Sequence, residues 1–168
     1  MAEDEDIKNL SAGFYTFSAY VNTGGTSVSG RGVVVDIEPK TSTGANAGWT
    51  CSESVTSTGV DEWKRIRVTA LIPEGYTARI LIGFIDKSCI GTVWFDDLQF
   101  EKTENANTAS NLLENTNFKN GTTNWNVGGS LAYIRGHGQP APPWRQRFEN
   151  EWNAVPECEF LYPHSSRR

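Results

Sequence analysis

The fold is decided by residues 91–101, GTVWFDDLQFE. Phe95 and Phe100 lie an odd number of positions apart, so a regular strand would point them to opposite faces. A β-bulge at Asp96-Asp97 would shift the alternation by one residue and return both rings to one face. The stretch therefore predicts a strand that covers one core on both sides of a local kink, with two carboxylates at the kink. The predicted core residues of this strand are Val93, Phe95, Leu98 and Phe100.

The chain before this strand has the period of β-structure and no helical period over a useful length. Apolar residues alternate with polar ones in several short segments separated by turn residues. Pro39 is expected to end the second segment because proline cannot donate to a ladder. Short strands without helices predict two sheets that bury each other's apolar faces, an all-β sandwich. The predicted strands are residues 15–21, 32–37, 63–73 and 77–86, with a weak one at 49–54.

The composition sets limits on size and partners. The 168 residues, 38% of them hydrophobic, suit one globular domain with an appendage. The net charge is -5 and the basic residues are scattered, so we expect no nucleic-acid partner. No apolar run reaches the roughly 18 residues of a membrane span, and the acidic start MAEDEDIKNL does not resemble a signal peptide.

The cysteines and histidines do not form a metal-site pattern. Cys51, Cys89 and Cys158 lack the spacing of zinc ligands, and the two histidines stand apart. Cys51 and Cys89 are either one disulfide or two thiols, and the sequence alone leaves both open.

Four segments in order carry a resemblance to a known family: LSAGFYTFSAYVNT, DEWKRIRVTALIP, GTVWFDDLQFE and NLLENTNFKNGTTNW. Together they resemble the jelly-roll carbohydrate-binding-module-like repeats found in tandem in large secreted or wall-associated bacterial proteins, including YD-repeat proteins. The resemblance covers roughly residues 7–127. It implies a jelly-roll-like β-sandwich and a secreted or cell-surface location for the parent protein, with no signal peptide in this chain.

The order of the last segment departs from that family. A segment such as NLLENTNFKNGTTNW normally opens a module, but here it follows the FDD strand. We expect a circularly permuted or incomplete sandwich in which this segment either returns to complete the sheet or remains an orphaned half-module. The expected domains are 7–101, the main part of the sandwich; 102–110, a polar linker; 111–134, the opening segment of a next module; and 135–168, an atypical C-terminal tail.

The tail differs from the rest in composition and matches nothing in the resemblance. It is expected to be disordered or to form a short helix after Pro143, with its aromatic residues at helical spacing. The tail, or an open sheet edge, could also drive self-association. The residues of the predicted helical stripe are Trp144, Phe148, Trp152 and Val155.

Exposed aromatic rings are the first candidates for a ligand site, because flat rings stack on the apolar faces of sugars. Trp49 is a large aromatic in a polar loop, with Asn46 and Glu53 nearby. Tyr20 and Trp94 lie on the faces opposite their strands' core residues. Each ring has a plain alternative, in which Trp49 anchors its loop and the other two are covered by neighbouring segments.

Asp96 and Asp97 have three interpretations. They can accept backbone N–H bonds and hold the kink. They can bind a structural calcium ion with Glu114 and backbone carbonyls, as the resemblance implies for jelly-roll modules, although Lys119 stands where the family often has an acidic residue. A glycosidase pair would need a second carboxylate across a substrate, and the sequence places none there.

The functional expectation is a non-catalytic module that binds a polysaccharide or cell-wall glycan weakly through these aromatics. The first alternative is a structural spacer repeat of a cell-surface protein with no ligand. The second is a fragment of a polysaccharide-active enzyme. Possible structural calcium is the expected cofactor.

Overall fold

The computed structural model describes residues 7–85, 89–102, 111–114 and 116, together with the backbone of two short strands at 125–127 and 160–163. The expectations that fall on the remaining residues, including the helical stripe of the tail, lie outside this part of the chain. The strands are β1 (Gly13–Asn22), β2 (Val33–Lys40), β3 (Thr50–Cys51), β4 (Lys64–Ile72), β5 (Thr77–Phe84), β6 (Trp94–Glu101), β7 (Trp125–Val127) and β8 (Phe160–Pro163).

The strands form two antiparallel sheets. One has the order β4-β1-β6 and the other the order β3-β2-β5-β8-β7. The alternation of apolar residues along each long strand turns one face of each sheet inward, because successive side chains point to opposite faces. The prediction of an all-β sandwich is confirmed. The fully buried side chains of this core include Phe17, Phe100, Ile37, Ile66, Ile72, Ile80, Ile82 and Leu98.

The predicted bulge is present in β6. The pairing of β1 with β6 shifts register between Ser18 and Tyr20, which face Gln99 and Asp96 respectively. Two residues of β6 thus oppose one residue of β1, and Asp97 takes a left-handed conformation with φ of 47°. The shift buries the core residues of this strand on both sides of the kink, as the parity of the sequence predicts. These buried residues are Phe95, Leu98 and Phe100.

Pro39 does not end β2, and that expectation was wrong. The strand continues to Lys40 and pairs with β5 through Pro39 opposite Ala78. The carbonyl of Pro39 accepts a hydrogen bond from Ala47, on the side of β2 away from β5. In a strand, the N–H and the C=O of one residue point to the same side, so an N–H at position 39 would also point away from β5. On that side the two-residue β3 has already ended, and no ladder bond needs a donor from position 39.

The segment after the linker lies along the outer edge of β6. The backbone N–H of Leu112 donates to the carbonyl of Phe100 at 2.8 Å, and the N–H of Leu98 donates to the carbonyl of Thr116 at 3.1 Å. The Asn111 side chain adds one bond to the N–H of Phe100 and one to the carbonyl of Leu98. These bonds satisfy backbone groups of a strand that would otherwise present an open edge.

The second sheet is extended by β8 and β7. β8 pairs with β5 through Ile82 opposite Leu161, and β7 pairs with β8 through Trp125 opposite Pro163. β5 therefore lies inside the sheet, as its nearly continuous apolar run predicts. No helix long and apolar enough to cross a membrane occurs among the described residues.

Candidate functional site

A charged cluster lies on the outer face of the five-stranded sheet, the face turned away from the core. Alternation along β2 points Val33, Val35 and Ile37 into the core and therefore turns Asp36 and Glu38 outward. Asp36 is nevertheless fully buried.

The segment 41–51, here called the flap, returns beside Asp36 at the edge of β2. β3, at the end of the flap, pairs Cys51 with Asp36 and Thr50 with Ile37. Its turn is closed by Thr41, whose hydroxyl oxygen accepts from the N–H of Ala45 at 3.1 Å. The Ala47 N–H donates to the carbonyl of Pro39 at 2.8 Å, and the Trp49 side chain within the flap is 49% exposed.

The Asp36 carboxylate has an unusual environment. Neither of its oxygens makes a hydrogen bond of normal geometry. Burial raises the pKa of Asp36 to about 7, and the negative charge of Glu38 adds to the rise. The Trp49 indole and the backbone N–H groups of Thr50 and Ile37 favour the ionised form but do not offset burial. Asp36 is thus a carboxyl group that can exchange a proton near neutral pH.

Two cations contact Glu38, which lies two positions along β2 from Asp36. The Lys40 ammonium lies 3.3 Å from a Glu38 carboxylate oxygen, and the Arg79 guanidinium lies 3.7 Å from the same oxygen. All three side chains are largely buried. Asp36, Glu38, Lys40 and Arg79, here called the Asp36 cluster, thus lie along β2 and β5, with the two cations paired to Glu38.

The three-stranded sheet carries a different polar network on its outer face. The Arg65 guanidinium lies 4.8 Å from the centre of the Tyr20 ring and donates to Ser18 Oγ at 2.6 Å. It also donates to Gln99 Oε1 at 3.0 Å, and Gln99 in turn donates to Glu101 at 3.1 Å. These bonds tie the three strands together across the face, which makes the network a structural feature of the sheet.

The predicted aromatic candidates do not come together in one place. Trp49 belongs to the flap on one sheet, whereas Tyr20 and Trp94 lie on neighbouring strands of the other. Asn46 accepts a bond from the N–H of Gly48 at 2.9 Å, and Glu53 forms an exposed ion pair with Lys64 at 3.2 Å.

The side chains of the predicted calcium ligands do not come together to form a metal site. The described residues contain no group of three His, Cys, Asp or Glu side chains placed to hold a metal ion, and Asp96, Asp97 and Glu114 are among those residues. Instead, Asp96 Oδ1 accepts the backbone N–H of Asp97 at 2.9 Å, which supports the bulge. An ion held there with backbone carbonyls stays a prediction.

No disulfide joins Cys51 and Cys89 in this structure. Cys89 is buried in the core, where its Sγ lies 3.6 Å from the carbonyl oxygen of Gly32. Cys51 lies on β3 beside Asp36. The two alternatives that the sequence left open are therefore resolved in favour of two thiols.

Part of this chain is similar in sequence to two known proteins. It is similar to the "tRNA nuclease WapA" of Bacillus subtilis (strain 168) and the "tRNA(Glu)-specific nuclease WapA" of Bacillus subtilis subsp. natto (strain BEST195). Each is 29% identical over 85 residues, which are 49% of this chain and 4% of the relative. This chain thus spans only a small part of the relatives that it matches. No family model matches the chain, and no solved structure matches it.

These matches correct the functional expectation. Both relatives are named as nucleases that act on tRNA, and neither is named as a carbohydrate-binding protein. The interpretation as a non-catalytic carbohydrate-binding module, with a spacer as its alternative, was therefore wrong. The expectation of a glycan partner and the expectation of no nucleic-acid partner were wrong for the same reason. The exclusion rested on the net charge and on the scattered basic residues, which do not by themselves decide what a protein acts on.

Sequence reasoning missed the Asp36 cluster. The run GVVVDI does indicate that Asp36 faces away from the core, and the alternation extends to Glu38 and Lys40. That signal marks a polar face but does not reveal that Asp36 is buried on it. The pairing of Thr50 and Cys51 with β2 beside Asp36 is likewise not contained in local periodicity.

Proposed function

We propose that this chain is a module of a nuclease-class protein that acts on RNA, and that the sandwich supports the catalytic part of that protein. The observation that carries the proposal is the 85-residue match to two tRNA nucleases. The matched residues make up 4% of each nuclease. So small a share of a large enzyme corresponds to one module among many. A rigid sandwich with one continuous core is suited to hold other domains in a fixed arrangement.

The partners of the cations on the two outer faces favour a supporting role for the described part. Arg65 is bonded within its own sheet, while Lys40 and Arg79 are paired with Glu38. Cations already paired in this way have less charge to offer to a phosphate backbone.

A module exchange tests this proposal. The 85 matched residues of WapA from strain 168 would be replaced by the corresponding part of this chain, and cleavage of tRNA would be followed on a gel. We expect the exchanged protein to retain cleavage. The same exchange carrying Phe100→Ala, which opens the sandwich core, should lose it. Equal cleavage by both exchanged proteins would show that the module does not support the catalytic part.

A second candidate function is RNA cleavage by this chain itself. The raised pKa of Asp36 favours it, because cleavage by a proton-transfer mechanism needs a group that exchanges a proton near neutral pH. The test is incubation of the 168-residue chain with purified tRNA. If the chain cleaves tRNA and Asp36→Asn abolishes the cleavage, this candidate is favoured. If the tRNA stays intact, the supporting role is favoured instead.

A further inference from the structure

The three-stranded sheet has an open edge in the part of the chain that the structure describes. β4 is the last strand of the order β4-β1-β6 and pairs with β1 on one side. The opposite edge of the sheet, at β6, is bonded to Leu112 and Thr116. We propose that the edge of β4 receives an extended segment from the rest of the parent protein, with an acidic residue opposite Arg67 and an apolar residue opposite Leu71. This inference rests on the proposed function, because it takes the partner from the nuclease-class protein that the module supports.

The pairing of the strands identifies the backbone groups at this edge. In β6, the N–H of Leu98 and the carbonyl of Phe100 point away from β1. Residues 99 and 101 therefore bond to β1, and the alternation along β1 makes residues 66, 68 and 70 of β4 the ones that bond back to it. The residues whose backbone N–H and C=O groups face the edge, and which make no backbone bond with any described residue, are Arg65, Arg67, Thr69 and Leu71.

β4 carries few of the features that protect an edge strand from pairing. It contains no proline, and its ladder with β1 runs through nine consecutive positions without a bulge. Its core-facing side chains Ile66, Val68 and Ala70 are apolar rather than charged. The Arg65 guanidinium is held over the sheet by Ser18 and Gln99, so its charge does not guard the edge. A regular strand with a row of unpaired backbone groups is a template for one further strand.

Charge defines one requirement for the partner. β4 has the sequence KRIRVTALI, with three basic residues and no acidic one. Lys64 is paired with Glu53, and Arg65 is bonded within its own sheet. Arg67 is exposed and forms no ion pair with the described residues. A carboxylate directly across from Arg67 on an added strand would supply the missing opposite charge.

Exposed apolar side chains define the second requirement. Leu71 lies four positions after Arg67 on the same face of β4, and its side chain is 53% exposed. Across the β1–β4 ladder it faces Phe14, which is 47% exposed. An apolar side chain opposite Leu71 would extend this pair and remove part of it from water.

The length of the relatives indicates where such a strand comes from. The matched residues make up 4% of each relative, so most of those polypeptides lies outside the matched part. A segment of the same polypeptide is present at a high effective concentration, so one added strand of modest intrinsic affinity is enough to hold it.

Two synthetic peptides test the proposal on the 168-residue chain. The peptide TLVTVEVT, laid antiparallel to β4, places its leucine opposite Leu71 and its glutamate opposite Arg67, and TLVTVKVT replaces the glutamate by lysine. With saturating TLVTVEVT, we expect hydrogen exchange of the Arg67, Thr69 and Leu71 amides, followed by NMR, to slow by about tenfold or more. We expect TLVTVKVT to bind about threefold to tenfold more weakly. Absence of binding, protection of a different surface, or equal affinities would overturn the proposal.

Matched variants assign the binding to the two named side chains. Arg67→Glu should reverse the preference between the peptides, whereas Lys8→Glu, which changes an exposed cation away from β4, should leave it unchanged. Leu71→Ser should weaken TLVTVEVT about threefold to tenfold, and Val60→Ser, at a residue that is 69% exposed in a loop, should not. An unchanged preference in Arg67→Glu would overturn the proposal.

The peptide experiment does not involve tRNA, so its failure is distinct from failure of the proposed function. Cleavage of tRNA by the exchanged WapA without peptide binding would overturn the docking edge alone. Peptide binding at β4 without cleavage by the exchanged protein would support the docking edge and count against the supporting role.

Discussion

The backbone N–H of Asp97 donates a hydrogen bond to Oδ1 of its neighbour Asp96 at 2.9 Å, at the point where β6 bulges. Asp97 has a φ of 47°, a conformation that costs most non-glycine residues about 1–2 kcal/mol and that Asp, Asn and Gly tolerate better. We therefore expect Asp97→Ala to lower the free energy of unfolding by about 1 kcal/mol, measured by urea denaturation.

Two variants at the same position separate conformation from charge. Asp97→Asn removes the charge but keeps a side chain that tolerates this φ, so its free energy of unfolding should stay within about 0.5 kcal/mol of the wild type. Asp97→Gly should be at least as stable as Asp97→Ala. If Asn were as destabilising as Ala, the carboxylate rather than the backbone conformation would be the important feature of Asp97.

Gly24 lies beneath the Trp94 ring, in the turn after β1. A Cβ at Gly24 would stand 2.6 Å from a ring carbon of Trp94, and the residue has a φ of +63°. Gly24→Ala should therefore lose stability through both backbone strain and overpacking, about 2–4 kcal/mol together. Thermal and urea unfolding of the purified variant would measure the loss.

Gly75 provides the matched control for Gly24. Its φ is +76°, and no atom lies within 4 Å of the position a Cβ would take. Gly75→Ala should thus show the backbone cost alone, about 1 kcal/mol. Equal losses in the two variants would contradict a close contact between Gly24 and Trp94.

Phe100 is the aromatic centre of the core. Its ring stacks on Tyr15 with centres 5.4 Å apart and meets the edge of Phe17 at 6.4 Å. Because Phe100 is fully buried, Phe100→Ala should cost about 3–5 kcal/mol. Phe14→Ala removes the same ring from an adjacent strand, where the side chain is 47% exposed, and should cost about 1 kcal/mol or less. Urea unfolding of both variants would measure the difference, and similar losses would contradict the assigned core.

The sequence predicted those features that depend on local alternation. Ile66 and Val68 alternate with arginines, and the structure buries the two apolar residues and leaves Arg67 exposed. The parity change between Phe95 and Phe100 likewise predicted the bulge. Features formed by distant segments could not be predicted in this way. The pairing of Cys51 with Asp36 forms only because the chain returns to β2 after the nine residues 41–49, and no periodicity specifies that return.

Function was predicted less well than fold, for a related reason. The glycan interpretation relied on exposed aromatics such as Trp49 and Tyr20, but an aromatic ring serves loop anchoring and cation contacts equally well. The Arg65 guanidinium over the Tyr20 ring is one such contact. The type of a side chain limits the chemistry that it can perform, whereas its partners decide which chemistry it performs.

Arg65 links all three strands of its sheet, since it lies on β4 and bonds to Ser18 on β1 and Gln99 on β6. Lysine at this position would keep the charge but lose the planar group that bonds to Ser18 and Gln99 together while lying over Tyr20. We expect Arg65→Lys to lower the free energy of unfolding by about 1–2 kcal/mol. Arg67→Lys is the matched control, since Arg67 lies two positions along the same face of β4 and is exposed. That control should change stability by less than about 0.5 kcal/mol. Urea denaturation of both variants would decide the matter: equal effects would mean that the Arg65 network contributes no more than a surface charge.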